Sequence, residues 1–390
     1  MFINQRTCSA NSKAFSALKT YYENRDQFAL DWKASGKKVA GTLGCDVPDE
    51  ILLAAGILPV RAHSDPAAGL AEADKYLEFS FDPVVRSQFE RLVDGTGHKL
   101  YDRLVISNST DVLIRIYFYL REIQRVEPEK SLPPITFIDW LFTRFMMHQE
   151  RNERIIKAFA AQVAEWAGRQ ISDEELRQSC SVCNENRAAL REFADLRCGG
   201  DSCVTGTEAL TVIGAGMFID KQRHTQLVRE LIGESRTWPK VDGHRIFMTG
   251  SPQEDTTLYG LIESAGMNVV SEDHDWGARH MDRDVDLSME PVAGIVDRYM
   301  LRTPSSKKAF VKERVDALCS SVEKCGAQGV IFYMNIYDEA ASWDYPSQKE
   351  ALDKMGIPSL MLAVQPYPIG DDAELSKALG AFAQQLKGGK

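Results

Sequence analysis

A chain of 390 residues exceeds one hydrophobic core and suits two or three domains. Lys plus Arg total 46 against 56 Asp plus Glu, a formal net charge of -10, which argues against a nucleic-acid coat because phosphate contacts need a clustered positive field. With 44% hydrophobic and 26% charged residues the composition is that of a folded globular protein. The longest nearly apolar run, Ile51 to Val60, falls well short of the roughly 20 residues that span a bilayer. Met1 to Lys19 is polar and carries no apolar core of a secretory signal, so a cytoplasmic protein with reduced cysteines is expected.

In chain order, Phe15 to Trp32 has helical spacing and Lys37 to Leu43 reads as a strand. Val47-Pro48-Asp49-Glu50 opens a helix, with proline and acids suited to its first turn. Gly56 stops it before the strand Ile57 to Arg61. A helix over Pro83 to Leu92, a strand over Arg103 to Ser107, a helix from Asp111 and a strand over Ile135 to Trp140 complete an alternating pattern, the mark of a parallel sheet. From Phe142 to Arg236 only helical patterns appear, one of them opened by the capping box Ser172 to Glu175. After Trp238-Pro239 the alternation returns, with strands at Arg245 to Thr249, Asn268 to Ser271, Gly329 to Met334 and Ser359 to Val364. The expected architecture is α/β: two Rossmann-like parallel-sheet lobes, residues 1–141 and 239–390, separated by an all-helical segment, 142–238. No internal repeat is visible in the sequence.

Ligands of open parallel sheets lie beyond the carboxyl ends of the strands. Gly44-Cys45-Asp46, Asn108 to Asp111, Gly250-Ser251-Pro252, Glu272 to Arg279 and Asn335 to Asp338 are therefore the loops to read. Asp111 and Asp338 share a pattern, an apolar strand followed by a polar residue and an acid opening a helix, and each also suits a plain helix cap. Gly214-Ala215-Gly216 resembles part of a dinucleotide fingerprint, but its third glycine is Ile219 and no strand precedes it. Cys180, Cys183, Cys198 and Cys203 are spaced unlike common zinc or iron–sulfur ligands, and buried or loop thiols are the plainer reading. His274, Asp275, His280, Asp282, Asp284 and Asp286 could form a hard-metal cluster or a solvated charged loop.

Taken together, several of these stretches resemble the 2-hydroxyacyl-CoA dehydratase / benzoyl-CoA reductase subunit family. They are Gly44 to Arg61, with its Pro-x-Glu helix and Ala54-Ala55-Gly56 stop, Asn184-Glu185-Asn186-Arg187, Thr249-Gly250-Ser251 through Gly277-Ala278-Arg279, and Asp344-Tyr345-Pro346 with Gly356-Ile357-Pro358. The resemblance implies an anaerobic enzyme acting on acyl-CoA thioesters and a homologous partner subunit. It also implies a [4Fe-4S] centre held by three cysteines, and an ATP-dependent iron–sulfur activator that supplies single electrons. This chain departs where those cysteines would stand. The second and third positions are Thr110, before Asp111, and Tyr337, before Asp338, and no cysteine lies between Cys45 and Cys180, where the first falls at Phe79 to Pro83, near the start of the helix around Phe81 to Arg86. Hydroxyls do not replace thiolates on iron.

The expectation is a cluster-poor partner subunit that binds no metal or cofactor itself and shapes an active site beside a cluster-bearing homologue. Thr110, Asp111, Tyr337 and Asp338 would line the vacated cavity, with Tyr337 buried against Thr110, and Gly250, Ser251 and Arg279 would contact substrate or CoA. Neither nucleic acid nor membrane is expected as a partner. A non-catalytic scaffold or acyl-CoA-binding module of the same fold is the alternative, and a relocated metal site at Cys180, Cys183, Cys198 and Cys203 stays open.

Overall fold

The computed structural model describes residues 6–305, 308–338, 340–370 and 373–388. Eight strands form two four-stranded sheets, parallel throughout. The first contains β1 (Val39–Leu43), β2 (Leu58–Arg61), β3 (Arg103–Ser107) and β4 (Ile135–Ile138), in the order β2-β1-β3-β4. The second contains β5 (His244–Gly250), β6 (Met267–Glu272), β7 (Gly329–Asn335) and β8 (Ser359–Gln365), in the order β6-β5-β7-β8. Each lobe thus repeats one topology that the sequence conceals. Its direction reverses between the first and third strands, so both lobes offer a crevice at the carboxyl ends of β1/β3 and β5/β7. The central strands β1 and β7 are buried along their whole length, which explains their continuous apolar character.

Between the lobes run four helices, Met146–Ala167, Asp173–Asp195, Gly206–Ala215 and Lys221–Ser235. The Ser172 hydroxyl and the Glu175 carboxylate cap the second reciprocally, as the capping box predicts. The expected helix Phe15 to Trp32 is instead two, Lys13–Glu23 and Gln27–Ala34, turned at Asn24 to Asp26. The turn places Arg25 against Glu254 of the second lobe, at 3.6 Å. Short helices at Ala73–Tyr76 and Thr96–Leu100, about one turn each, carry too little periodicity to be seen in sequence.

Helix Lys13–Glu23 packs on Gly206–Ala215 and Lys221–Ser235. A Cβ on Gly214 would lie 2.4 Å from the Tyr22 ring, so that glycine serves helix packing and not a nucleotide. Helix Pro291–Met300 crosses from the C-terminal third onto Met146–Ala167. There Val292, Ile295 and Tyr299 share a core with Ile51, Ile138 and Trp140. The Trp140 and Tyr299 rings stack at 5.7 Å, and the Trp140 indole N–H donates to Asp46 O at 2.7 Å. No described helix is long and apolar enough to cross a membrane.

Candidate functional site

The first strand of each lobe ends on a glycine with positive φ, Gly44 at 90° and Gly250 at 116°. Each is pressed against the loop or strand beside it. A Cβ on Gly44 would sit 2.4 Å from Ser107 Oγ, and one on Gly250 would sit 2.2 Å from the Tyr333 carbonyl. Glycine alone permits both the dihedral and the approach. The loops that follow are thereby held close over the crevices.

In the second lobe the Ser251 hydroxyl accepts from Asn335 N at 2.9 Å and donates to Asp338 Oδ2 at 2.6 Å. Ser251, Asn335 and Asp338 are therefore one unit joining the ends of β5 and β7. Burial raises the Asp338 carboxyl above the usual aspartate range, against the opposing Ser251 hydrogen bond. In the first lobe Asp82 caps helix Pro83–Val93 by accepting from Val84 N at 2.8 Å and Val85 N at 3.1 Å. Burial, followed by the negative charge of Asp338, pushes Asp82 up to about 7. A first-lobe and a second-lobe carboxyl thus lie near enough to feel each other's charge. Asp82 lies within the Phe79 to Pro83 stretch yet escapes sequence reasoning, because an acid before proline at a helix start reads as a simple cap.

Tyr337 adopts φ 66° and is 39% exposed, with its ring edge-on to Phe79 at 6.0 Å. Thr110 and Asp111 are exposed at the start of helix Asp111–Val126, and the Thr110 side chain makes no cap hydrogen bond. The expected buried pairing of Tyr337 with Thr110 is therefore corrected: a half-exposed phenol can bond to water, and its ring partner is Phe79. Positions 79 and 337 do meet across the lobes, while Thr110 stands at the surface.

Gly250 and Arg279 share the wall of a cavity of about 80 Å³ with Thr249, Asp273 and Arg314. The Thr249 hydroxyl donates to Asp273 at 2.8 Å, and Arg279 Nε is buried without a hydrogen-bond partner among the described residues. Burial raises the Asp273 carboxyl, with the Arg279 charge opposing. This compact polar hollow at the end of β5 fits a hydrogen-bonding group of a ligand, not an acyl chain.

A larger cavity of about 690 Å³ lies between the N-terminal helices and both lobes, lined by Arg25, Asp26, His63, Arg91 and Glu254 among others. Its charges are already spent on one another. Asp26 accepts from Arg91 at 2.7 Å and pairs with His63 at 2.9 Å, and Glu254 accepts from Ser64 N at 2.8 Å. Ser64 also bonds to Tyr367, whose peptide with Pro368 is cis. The arrangement clamps the lobes together.

The other sequence candidates resolve into structure. Cys198 Sγ points to Val270 O and Cys203 Sγ to Leu196 O, whereas Cys180 is buried in the core beside helix Asp49–Ala54. Asp275 pairs with Arg61 at 2.7 Å, Asp284 with Arg191 at 2.6 Å, and Asp282 with Arg302 at 3.4 Å. Among the described residues no three His, Cys, Asp or Glu side chains are grouped to hold a metal ion. Neither the cysteine set nor the acidic run is gathered into such a group among the described residues.

Two parallel-sheet lobes of one strand order, each with a positive-φ glycine where its first strand ends, define a two-lobed α/β protein with a crevice at each switch point. The chain belongs to the family described as 2-hydroxyglutaryl-CoA dehydratase, D-component, whose model matches residues 45–386. It is 22% identical to the (R)-phenyllactyl-CoA dehydratase beta subunit of Clostridium sporogenes over 387 residues, covering 97% of this chain and 100% of the other. It is 25% identical to (R)-2-hydroxyglutaryl-CoA dehydratase, subunit beta, of Acidaminococcus fermentans over 371 residues, 91% of this chain and 94% of that one. A benzoyl-CoA reductase subunit of Thauera aromatica is 23% identical over 233 residues, 57% of this chain and 59% of its own.

Proposed function

We propose that the chain is the cluster-poor, beta-type subunit of an acyl-CoA dehydratase or reductase, working beside a homologous [4Fe-4S]-bearing subunit that an ATP-dependent activator supplies with electrons. Support comes from relatives named as beta subunits and matched over nearly their full length. The observation that carries the reading is what stands at the positions where the resemblance implies cluster cysteines: Asp82 beside Phe79, then Thr110 and Tyr337, with no cysteine among them. Phenol, hydroxyl and a capping carboxylate do not fit an iron–sulfur cluster, whose irons require thiolates.

In this reading the chain's own residues shape the substrate. Asp82, which changes charge near neutral pH, holds or releases a proton at the cleft, and Ser251 fixes the nearby Asp338 carboxylate. Gly250 and Arg279 offer the polar hollow for a substrate group. Three consecutive residues, Phe145, Met146 and Met147, are 64%, 78% and 75% exposed, an apolar surface of the kind that a homologous partner covers.

The test is anoxic co-expression with a cluster-bearing homologue and its activator. A stable stoichiometric complex that turns over a 2-hydroxyacyl- or aroyl-CoA, with all iron on the partner, is expected. Iron and sulfide on the order of four per chain in the isolated protein would overturn the cluster-poor assignment. A chain that ignores every such partner and only binds CoA thioesters would be the scaffold or binding module.

A further inference from the structure

Where the first lobe, the helical segment and helix Pro291–Met300 meet, a second small cavity of about 40 Å³ opens. Five cationic side chains line it, Arg61, Arg187, Lys221, Arg298 and Arg302, against a single carboxylate, Asp49. Most have partners behind the wall. Arg187 reaches Glu50 at 2.9 Å, Arg302 reaches Asp46 at 3.2 Å, and Arg61 reaches Asp275 at 2.7 Å. Lys221 spends two of its three N–H donors, on Gly216 O at 2.8 Å and Asp49 at 3.1 Å.

Arg298 is the exception. It is 3% exposed, and its Nε donates to Arg283 O at 2.8 Å. Its nearest carboxylate, Asp282, is 3.9 Å away, and its Nη1 has no hydrogen-bond partner among the described residues. A buried guanidinium normally has every donor answered and an opposing charge close by. Burial, followed by the charge of Arg187, pushes the Arg298 side chain below the usual arginine range, and its nearest carboxylate, Asp282, is shared with Arg302 at 3.4 Å. Burial and the same cations, Lys221 foremost, hold the neighbouring His280 neutral.

We infer that this cavity is a binding site for one small inorganic anion, chloride or a compact phosphate-type oxyanion, seated against Arg298 Nη1 and the Lys221 ammonium. Water would answer the orphaned donor without adding negative charge among the five cations of the wall; an anion does both. The volume admits about three water-sized groups, at roughly 10–15 Å³ each, which excludes a nucleotide or an acyl chain. The cavity ties Arg61 of the first lobe, Arg187 and Lys221 of the helical segment, and Arg298 of the C-terminal third. Anion binding therefore stabilises the joint between them. This inference does not depend on the acyl-CoA reading.

The full chain, dialysed free of chloride and phosphate, is followed by thermal unfolding in sodium chloride, sodium phosphate and sodium gluconate at matched ionic strength. Gluconate is too bulky to enter. A saturating rise in Tm with chloride or phosphate, absent in gluconate, is expected by mass action. Phosphate titration calorimetry should show at least tenfold weaker binding in Arg298→Gln and no change in Arg125→Gln, an exposed surface control. If Arg298→Gln does not fold, Arg298→Lys, which keeps the charge but loses the fork, should show the same weakening. Equal responses in all three salts, or unchanged anion affinity in the Arg298 variant that folds, would overturn the site and leave a water-filled cavity.

Discussion

Arg187 donates to Glu50 at 2.9 Å, and both side chains are buried. The Pro-x-Glu helix and the Asn-Glu-x-Arg helix, 137 residues apart, are thereby two halves of one ion pair. The Tyr299 hydroxyl, from the crossing helix Pro291–Met300, donates to the other Glu50 oxygen at 3.0 Å. Three segments of the chain therefore converge on one carboxylate.

Glu50→Gln should cost about 3–5 kcal/mol at neutral pH, because it removes the buried counter-charge of Arg187 and leaves it only the exposed Asp284 at 3.5 Å. Burial alone would raise the Glu50 carboxyl, but the charges of Arg187 and then Arg298 outweigh it and hold it at about 2 against an ordinary 4.5. A depressed carboxyl contributes stability that is present above the unfolded value and lost as pH falls through the folded one. Wild-type stability should thus decline between about pH 4.5 and about pH 2 more steeply than that of Glu50→Gln. Urea unfolding across that window checks both; a cost below about 1 kcal/mol would show that the pair adds little.

A second buried pair joins the helical segment to the second lobe. Arg197 forks onto Glu272 at 2.6 and 2.8 Å, with both side chains 1% exposed. Arg197→Met alone should cost about 3–5 kcal/mol. The double variant Arg197→Met/Glu272→Leu should cost less than either single change, since it leaves no isolated charge. Additive losses in chemical denaturation would contradict this.

Asp82 behaves oppositely to Glu50. Its carboxyl is raised from 3.8 to about 7, so the folded state holds a proton that the unfolded state has lost. Stability must fall as pH rises from the unfolded value through about 7. Asp82→Asn keeps the helix cap and removes the titration. Its Tm should gain on wild type between pH 5 and pH 8. Parallel pH profiles for the two proteins would place the raised proton affinity elsewhere.

The Phe79–Tyr337 contact spans the lobes, but Phe79 is 76% exposed. A double-mutant cycle of Phe79→Ala and Tyr337→Ala should yield a coupling of roughly 0.5–1 kcal/mol, the lower part of the range for edge-on rings. Tyr337→Phe should be nearly neutral in stability, because the phenol reaches solvent. A loss of about 2 kcal/mol or more would mean that the hydroxyl has a buried partner.

Much of the local structure was legible without coordinates. The strand Arg103 to Ser107, the helix starts at Pro83 and Asp111, and the capping box at Ser172 rest on side-chain periodicity and on hydrogen bonds between residues three or four apart, which the chain carries at any fold. The strand-end loops could be ranked for the same reason, since alternation implies a parallel sheet and a parallel sheet implies where ligands lie. Tertiary structure alone decided which distant groups meet. Burial and opposing charge are properties of an assembled interior, so the low carboxyl of Glu50, the high one of Asp82 and the orphaned Nη1 of Arg298 have no signature in the residues themselves. The same holds for Tyr337: sequence placed it at the end of β7, but its exposure and its Phe79 neighbour followed only from how the lobes close. The repeated order of the two sheets was equally hidden, because strand order is set by packing between elements and leaves no periodic trace along the chain.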